Sequence, residues 1–178
     1  MSGALRFLAG LALAALATAA GTRLLPGFPS ACDLFLVATV AAARHGRLER
    51  ALVAGSLAGW AADALAGTPF GLFGFTDAAI GYLTALAARR LVVERPGSLV
   101  GLFAAAGFAQ GIVLVLLGLF VVPEVVELPG PVAIVLRTAT TALLGPAWIR
   151  FAAAAGARVR KLLKRPPAGL RPPSSLVS

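Results

Sequence analysis

Residues 51–82, ALVAGSLAGWAADALAGTPFGLFGFTDAAIGY, decide how this chain folds. The first half reads as an apolar helix in which Gly55, Gly59, Asp63 and Gly67 recur every four residues. Gly71 continues the count past Thr68-Pro69. Residues four apart stack on one helix face, so two glycines and a carboxylate share a stripe that ends at Gly67. Glycine inside a helix in water costs about 1 kcal/mol against alanine. In a bilayer it lets a second backbone come close. An aspartate on that stripe cannot face lipid, so Gly55, Gly59, Asp63, Gly67 and Gly71 are expected to form a buried packing seam. The helix that fills it belongs either to this chain or to a partner.

Outside this stretch the composition points the same way. Of 178 residues, 59% are hydrophobic and 13% charged, and mean hydropathy is +0.91. A soluble domain of this size has too little interior to hide that much apolar surface. The expectation is an all-α polytopic membrane protein with six transmembrane helices, at roughly 4–24, 28–43, 51–66, 70–88, 99–122 and 131–153. The second and third are short for a span of ~20 residues, and need snorkelling ends or a thin bilayer. Arg6, an apolar run and Ala17-Thr18-Ala19 resemble a cleavable signal. The apolar run continues past that point to Leu25, which favours a retained helix.

Charge sets the expected orientation. With six spans, every one of the 16 basic residues except Arg23 and Arg137 falls on one side. By the positive-inside rule that side, with both termini, is cytoplasmic. The formal charge of +9 is thereby a topology signal, and no nucleic-acid partner is expected. Residues 1–155 make up the membrane domain. From Gly156 the run GARVRKLLKR is basic and amphipathic, which lays Arg158, Arg160, Lys161, Lys164 and Arg165 against anionic lipid head groups of the inner leaflet. The remaining PPAGLRPPSSLVS lacks core-forming residues and reads as disordered.

Ionisable residues inside spans are functional candidates. Asp63 lies ~6 Å from the outer end of its span, Arg137 ~9 Å and Asp77 ~12 Å, so a buried pair or triad of Asp63, Asp77 and Arg137 is expected. It serves as a structural ion pair, as a receptor for a polar group of a partner or ligand, or as a proton or ion relay. Asp33, after Ser30, reads as first-turn compensation of a helix dipole, and Gln110 as interhelical hydrogen-bond glue. Trp60 and Trp148 fit either interfacial anchors or core packing.

No catalytic constellation emerges. His45, the only histidine, belongs to a cytoplasmic loop, and Cys32 is the only cysteine. That removes Ser-His and Cys-His pairs and a histidine-rich metal site. Ala61-Ala62 before Asp63 and Phe75-Thr76 before Asp77 lack the signatures of intramembrane aspartyl proteases. There is no phosphate-binding loop. No enzyme activity, cofactor or metal is expected.

The pattern resembles the bacterial rod shape-determining protein MreD family. The residues that carry the likeness are Pro29…Asp33-Leu34, a short basic loop, the series Gly55, Gly59, Asp63, Gly67, Gly71, and Gly81-Tyr82-Leu83. The resemblance covers the six spans and leaves out the proline-rich tail. It implies a non-catalytic inner-membrane subunit of the elongation machinery. Such a subunit partners an MreC-like single-span protein and other elongation-complex membrane proteins, and so links MreB filaments to peptidoglycan synthesis. It also implies a fold similar to the S subunits of energy-coupling-factor transporters. That supplies the alternative of a small-solute (vitamin) binding subunit.

Overall fold

The computed structural model describes residues 3–25, 27–90, 96–120 and 129–163, with backbone alone for 29–30, 96 and 155–163. The described residues are helical, with no strand. In order they form α1 (Gly3–Leu24), α2 (Phe28–Ala31), α3 (Leu34–Ala43), α4 (Leu48–Ala66), α5 (Leu72–Arg90), α6 (Pro96–Phe120) and α7 (Pro131–Leu163). Three of them, over Gly3–Leu24, Gly97–Phe120 and Pro131–Ala154, are long and apolar enough to cross a membrane.

The short α3 is the axis of the bundle. Its sequence LFLVATVAAA is apolar on every side, which suits a helix surrounded by others. Every residue from Leu34 to Val40 is buried, and α1, α4, α5, α6 and α7 all pack on it. Leu36, Val37 and Val40 join Ile80, Leu102, Phe103 and Ala106 in one cluster. Leu34 and Phe35 join Ala14, Ala58 and Ala62 in another. Outside, large apolar side chains stand free: Leu16 is 69% exposed, Phe75 63% and Leu143 73%. Inside, Asp63, Asp77 and Gln110 are buried. Polar groups within and apolar groups without is the arrangement a lipid solvent favours.

The most extensive contact is the α4–α5 hairpin. A Cβ at Gly81 would lie 2.7 Å from the Ala51 carbonyl; at Gly55, 2.6 Å from the Asp77 carbonyl carbon; at Gly59, 2.5 Å from the Gly74 Cα. The two helices thus run antiparallel with their backbones touching. Gly55 and Gly59 form the expected seam, and α5 of the same chain fills it. Gly67 and Gly71 do not belong to it. Gly67 ends α4 in the left-handed region at φ +66°, Gly71 has φ +105°, and nothing lies within 4 Å of a Cβ at either. They are turn glycines, placed where L side chains are strained.

Three expectations need correcting. The apolar stretch 28–43 is two helices, broken where Cys32 and Asp33 are extended. α5 runs over Leu72–Arg90 and not 70–88. The chain beyond Gly156 does not start a separate in-plane helix, because α7 continues unbroken to Leu163. Its 33 residues reach ~50 Å, well past a ~30 Å hydrocarbon core. Arg158, Arg160 and Lys161 therefore sit on a continuation of α7, while Lys164, Arg165 and the proline-rich tail lie outside the described residues.

Candidate functional site

The break between α2 and α3 creates the site. A helix that starts inside a bundle leaves amide N–H groups without helical partners. Asp33 is the N-cap of α3, and its Oδ1 accepts from Phe35 N (3.0 Å) and Leu36 N (2.9 Å). The carbonyl of Ala31, at the end of α2, accepts from Thr140 Oγ1 of α7 at 2.6 Å. Two of the amides and one of the carbonyls exposed by the break thus find partners within the protein.

The second oxygen of Asp33 reaches the other helices. Oδ2 accepts from Arg137 Nη2 of α7 at 2.9 Å and from Gln110 Nε2 of α6 at 2.8 Å. The same Gln110 nitrogen donates to Asp77 Oδ1 of α5 at 2.8 Å. The Arg137 guanidinium also lies over the Phe73 ring, 5.4 Å from its centroid, a cation–π contact. One amide and one guanidinium therefore bind α3, α5, α6 and α7 together.

This differs from the expected grouping of Asp63, Asp77 and Arg137. The ion pair of Arg137 is with Asp33, and Asp77 joins through Gln110. Asp63 serves elsewhere. Its Oδ1 accepts from Thr68 Oγ1 (3.0 Å) and Phe73 N (2.9 Å), and its Oδ2 from Gly71 N (2.8 Å) and Gly74 N (3.2 Å). From the last turn of α4, that carboxylate caps the first turn of α5 and locks the turn between them. An anion against a helix N-terminus is stabilised by its free N–H groups and dipole.

Beside this network is a cavity of about 110 Å³, lined by Thr18 and Thr22 of α1, Cys32, Asp33, Phe73 and Arg137 among others. Trp148 packs into both core clusters, whereas Trp60 is half-exposed and stacks on Phe70 with ring centroids 6.0 Å apart. At the opposite end of the bundle, Arg89 Nε donates to the Gly46 carbonyl at 2.7 Å and ties α5 to the α3–α4 turn. Burial, then the charges of Arg44 and Arg47, pushes the His45 imidazole below its ordinary range. Among the described residues, no three His, Cys, Asp or Glu side chains gather as metal ligands would.

Sequence reasoning missed the role of Asp33 and, with it, Thr140. The signal was present, since Asp33 is five residues past Phe28 as Arg137 is six past Pro131, which puts them at similar depth. No protein-family model, no curated protein and no solved structure matches this chain.

Proposed function

We propose that the chain is a non-catalytic, multi-pass scaffold of the bacterial inner membrane, an MreD-like subunit of the elongation machinery. It crosses six times, with α2 and α3 together making one crossing, and keeps both termini in the cytoplasm. One observation carries the choice over the small-solute carrier. The carboxylates of Asp33 and Asp63 are each spent on four donors of the protein itself, and the cavity beside Asp33 and Arg137 is about 110 Å³. Pockets for small-molecule ligands run to about 300–1,000 Å³. An interior tied up in this way suits a rigid body that presents its outer surface to partners. Its partners are an MreC-like single-span protein and other elongation-complex membrane proteins, coupling MreB to peptidoglycan synthesis. Anionic lipid heads meet its basic inner side.

The test is purification from the native membrane, with mass spectrometry for both protein and small-molecule companions. An MreC-like single-span protein should co-purify, and no vitamin-sized ligand should be retained. A retained vitamin-like solute without that partner would overturn the scaffold in favour of the carrier. Reporter fusions after Ala66 and Pro129 should report the outer side, and fusions after Gly46, Pro96 and Ser178 the inner. A periplasmic signal at Ser178 would refute six spans.

A further inference from the structure

The three buried aspartates differ in how many donors they hold. Asp33 receives four, from Phe35 N, Leu36 N, Gln110 Nε2 and Arg137 Nη2. Asp63 receives four, from Thr68 Oγ1, Gly71 N, Phe73 N and Gly74 N. An ionised carboxylate only accepts hydrogen bonds and has room for about four, so both are satisfied as anions. Asp77 receives one. Its Oδ1 accepts from Gln110, and its Oδ2 is buried with no partner, in a side chain that is fully inaccessible.

Gln110 has the matching deficit. Its Nε2 lies 2.8 Å from a carboxylate oxygen of Asp33 and 2.8 Å from one of Asp77. Two acceptors fix the identity of that atom as nitrogen, and its two N–H groups are both used. Its Oε1 is buried with no partner. What remains unpaired on these two neighbouring groups is therefore two oxygens. An ionised carboxylate facing an amide oxygen repels it, whereas a hydrogen on one of them turns the contact into a bond.

We propose that Asp77 carries a proton, its Oδ2–H donating to Gln110 Oε1 while Gln110 Nε2 donates to Oδ1, a two-point acid–amide pair. The charged groups around Asp77 are Asp33 from α3, Asp63 from α4 and Arg137 from α7; α6 has no charged residue over Pro96–Phe120. Arg137 is committed to Asp33. With Asp77 neutral, the centre holds one anion, one cation and one acid, with no net charge to bury. Two carboxylates on a single amide with both ionised would repel each other, as in any close carboxylate pair. The proton thus makes this centre a proton-binding site, at which loss of the proton sets Asp77 and Asp33 in competition for Arg137.

The test uses the full-length protein in an ester-free detergent at neutral pH. Asparagine is the neutral isostere of the acid, able to donate to Gln110 Oε1 and accept from Nε2. Asp77→Asn should therefore fold and melt with the wild type, while Asp77→Ala loses folded yield. The infrared difference between wild type and Asp77→Asn should contain a protonated-carboxyl stretch that shifts on exchange into D2O. A carboxylate band in its place would overturn the proposal. So would an Asp77→Asn protein that fails to fold or loses as much as Arg137→Ala, since that loss marks Asp77 as a needed anion.

Discussion

Gly59→Ala tests the α4–α5 seam directly. Built on the present backbone, its Cβ falls against the Phe73 carbonyl and 2.5 Å from the Gly74 Cα. Carbon atoms in favourable contact sit about 3.5–4.0 Å apart, so the helices must part locally by about 1 Å. A gap of that size forfeits a quarter to a half of the dispersion energy of each flanking pair, and overpacking of this kind typically costs about 1–3 kcal/mol. The displacement also pulls on Asp63, one turn further along α4, whose bonds to Gly71, Phe73 and Gly74 already span 2.8–3.2 Å. Losing one such bond to a charged acceptor costs about 1.5–3 kcal/mol. Against this, replacing a helical glycine by alanine returns about 1 kcal/mol. The net expectation is a destabilisation of about 1.5–5 kcal/mol. Gly101→Ala is the control, because nothing lies within 4 Å of its Cβ position on α6; it should be neutral or gain up to about 1 kcal/mol. Both are read from reversible unfolding of the purified protein in mixed micelles. Equal midpoints for the two variants would refute the close packing of α4 on α5.

Two further substitutions probe the carboxylates. Asp63→Asn should destabilise by about 1–3 kcal/mol, because the amide turns an NH2 group toward two of the four donors that Asp63 now accepts; unfolding midpoints equal to wild type would refute the capping role. Arg137→Ala should cost about 3–5 kcal/mol by stranding Asp33, and adding Asp33→Asn should recover part of that in folded yield, whereas adding Asp63→Asn should not. Rescue by Asp63→Asn alone would place the ion pair where the structure does not.

Much of this architecture is written in hydropathy and spacing. The long apolar runs mark α1, α6 and α7, and the four-residue recurrence of Gly55 and Gly59 marks a face that touches another backbone. The recurrence overreaches at Gly67 and Gly71, because a turn needs glycine for its φ and the same residue type serves both purposes. Asp33 is harder to read. After Ser30, an acidic residue looks like the beginning of a helix, and it is one: Asp33 caps α3. The capped helix, however, starts a full turn inside the bundle, because Phe28–Ala31 has already formed a helical turn of its own. No local pattern separates a helix that begins at the surface of a bundle from one that begins inside it. The difference lies in Thr140, 109 residues from Ala31, whose hydroxyl takes up the carbonyl freed by the break.

That break also bears on how the helices choose their neighbours. Lipid tails are as apolar as leucine, so burial alone does not tell one apolar helix which partner to take. α3 presents apolar residues on all sides and offers no preferred face of its own. Its orientation is set at its N-cap, where Asp33 meets Arg137 of α7 and Gln110 of α6, and through Gln110 reaches Asp77 of α5. Of its other neighbours, α4 is held to α5 by the glycine seam and by Asp63. A continuous helix over 28–43 would have its early N–H groups paired within the helix, and a side chain at position 33 would not be needed as a cap. The discontinuity places a carboxylate at the junction of four helices while keeping its burial compatible with a full set of donors. Cys32 and Asp33 are extended, and successive side chains of extended chain point to opposite sides, so a carboxylate moved to position 32 would turn away from Arg137 and leave that part-buried guanidinium without its anion.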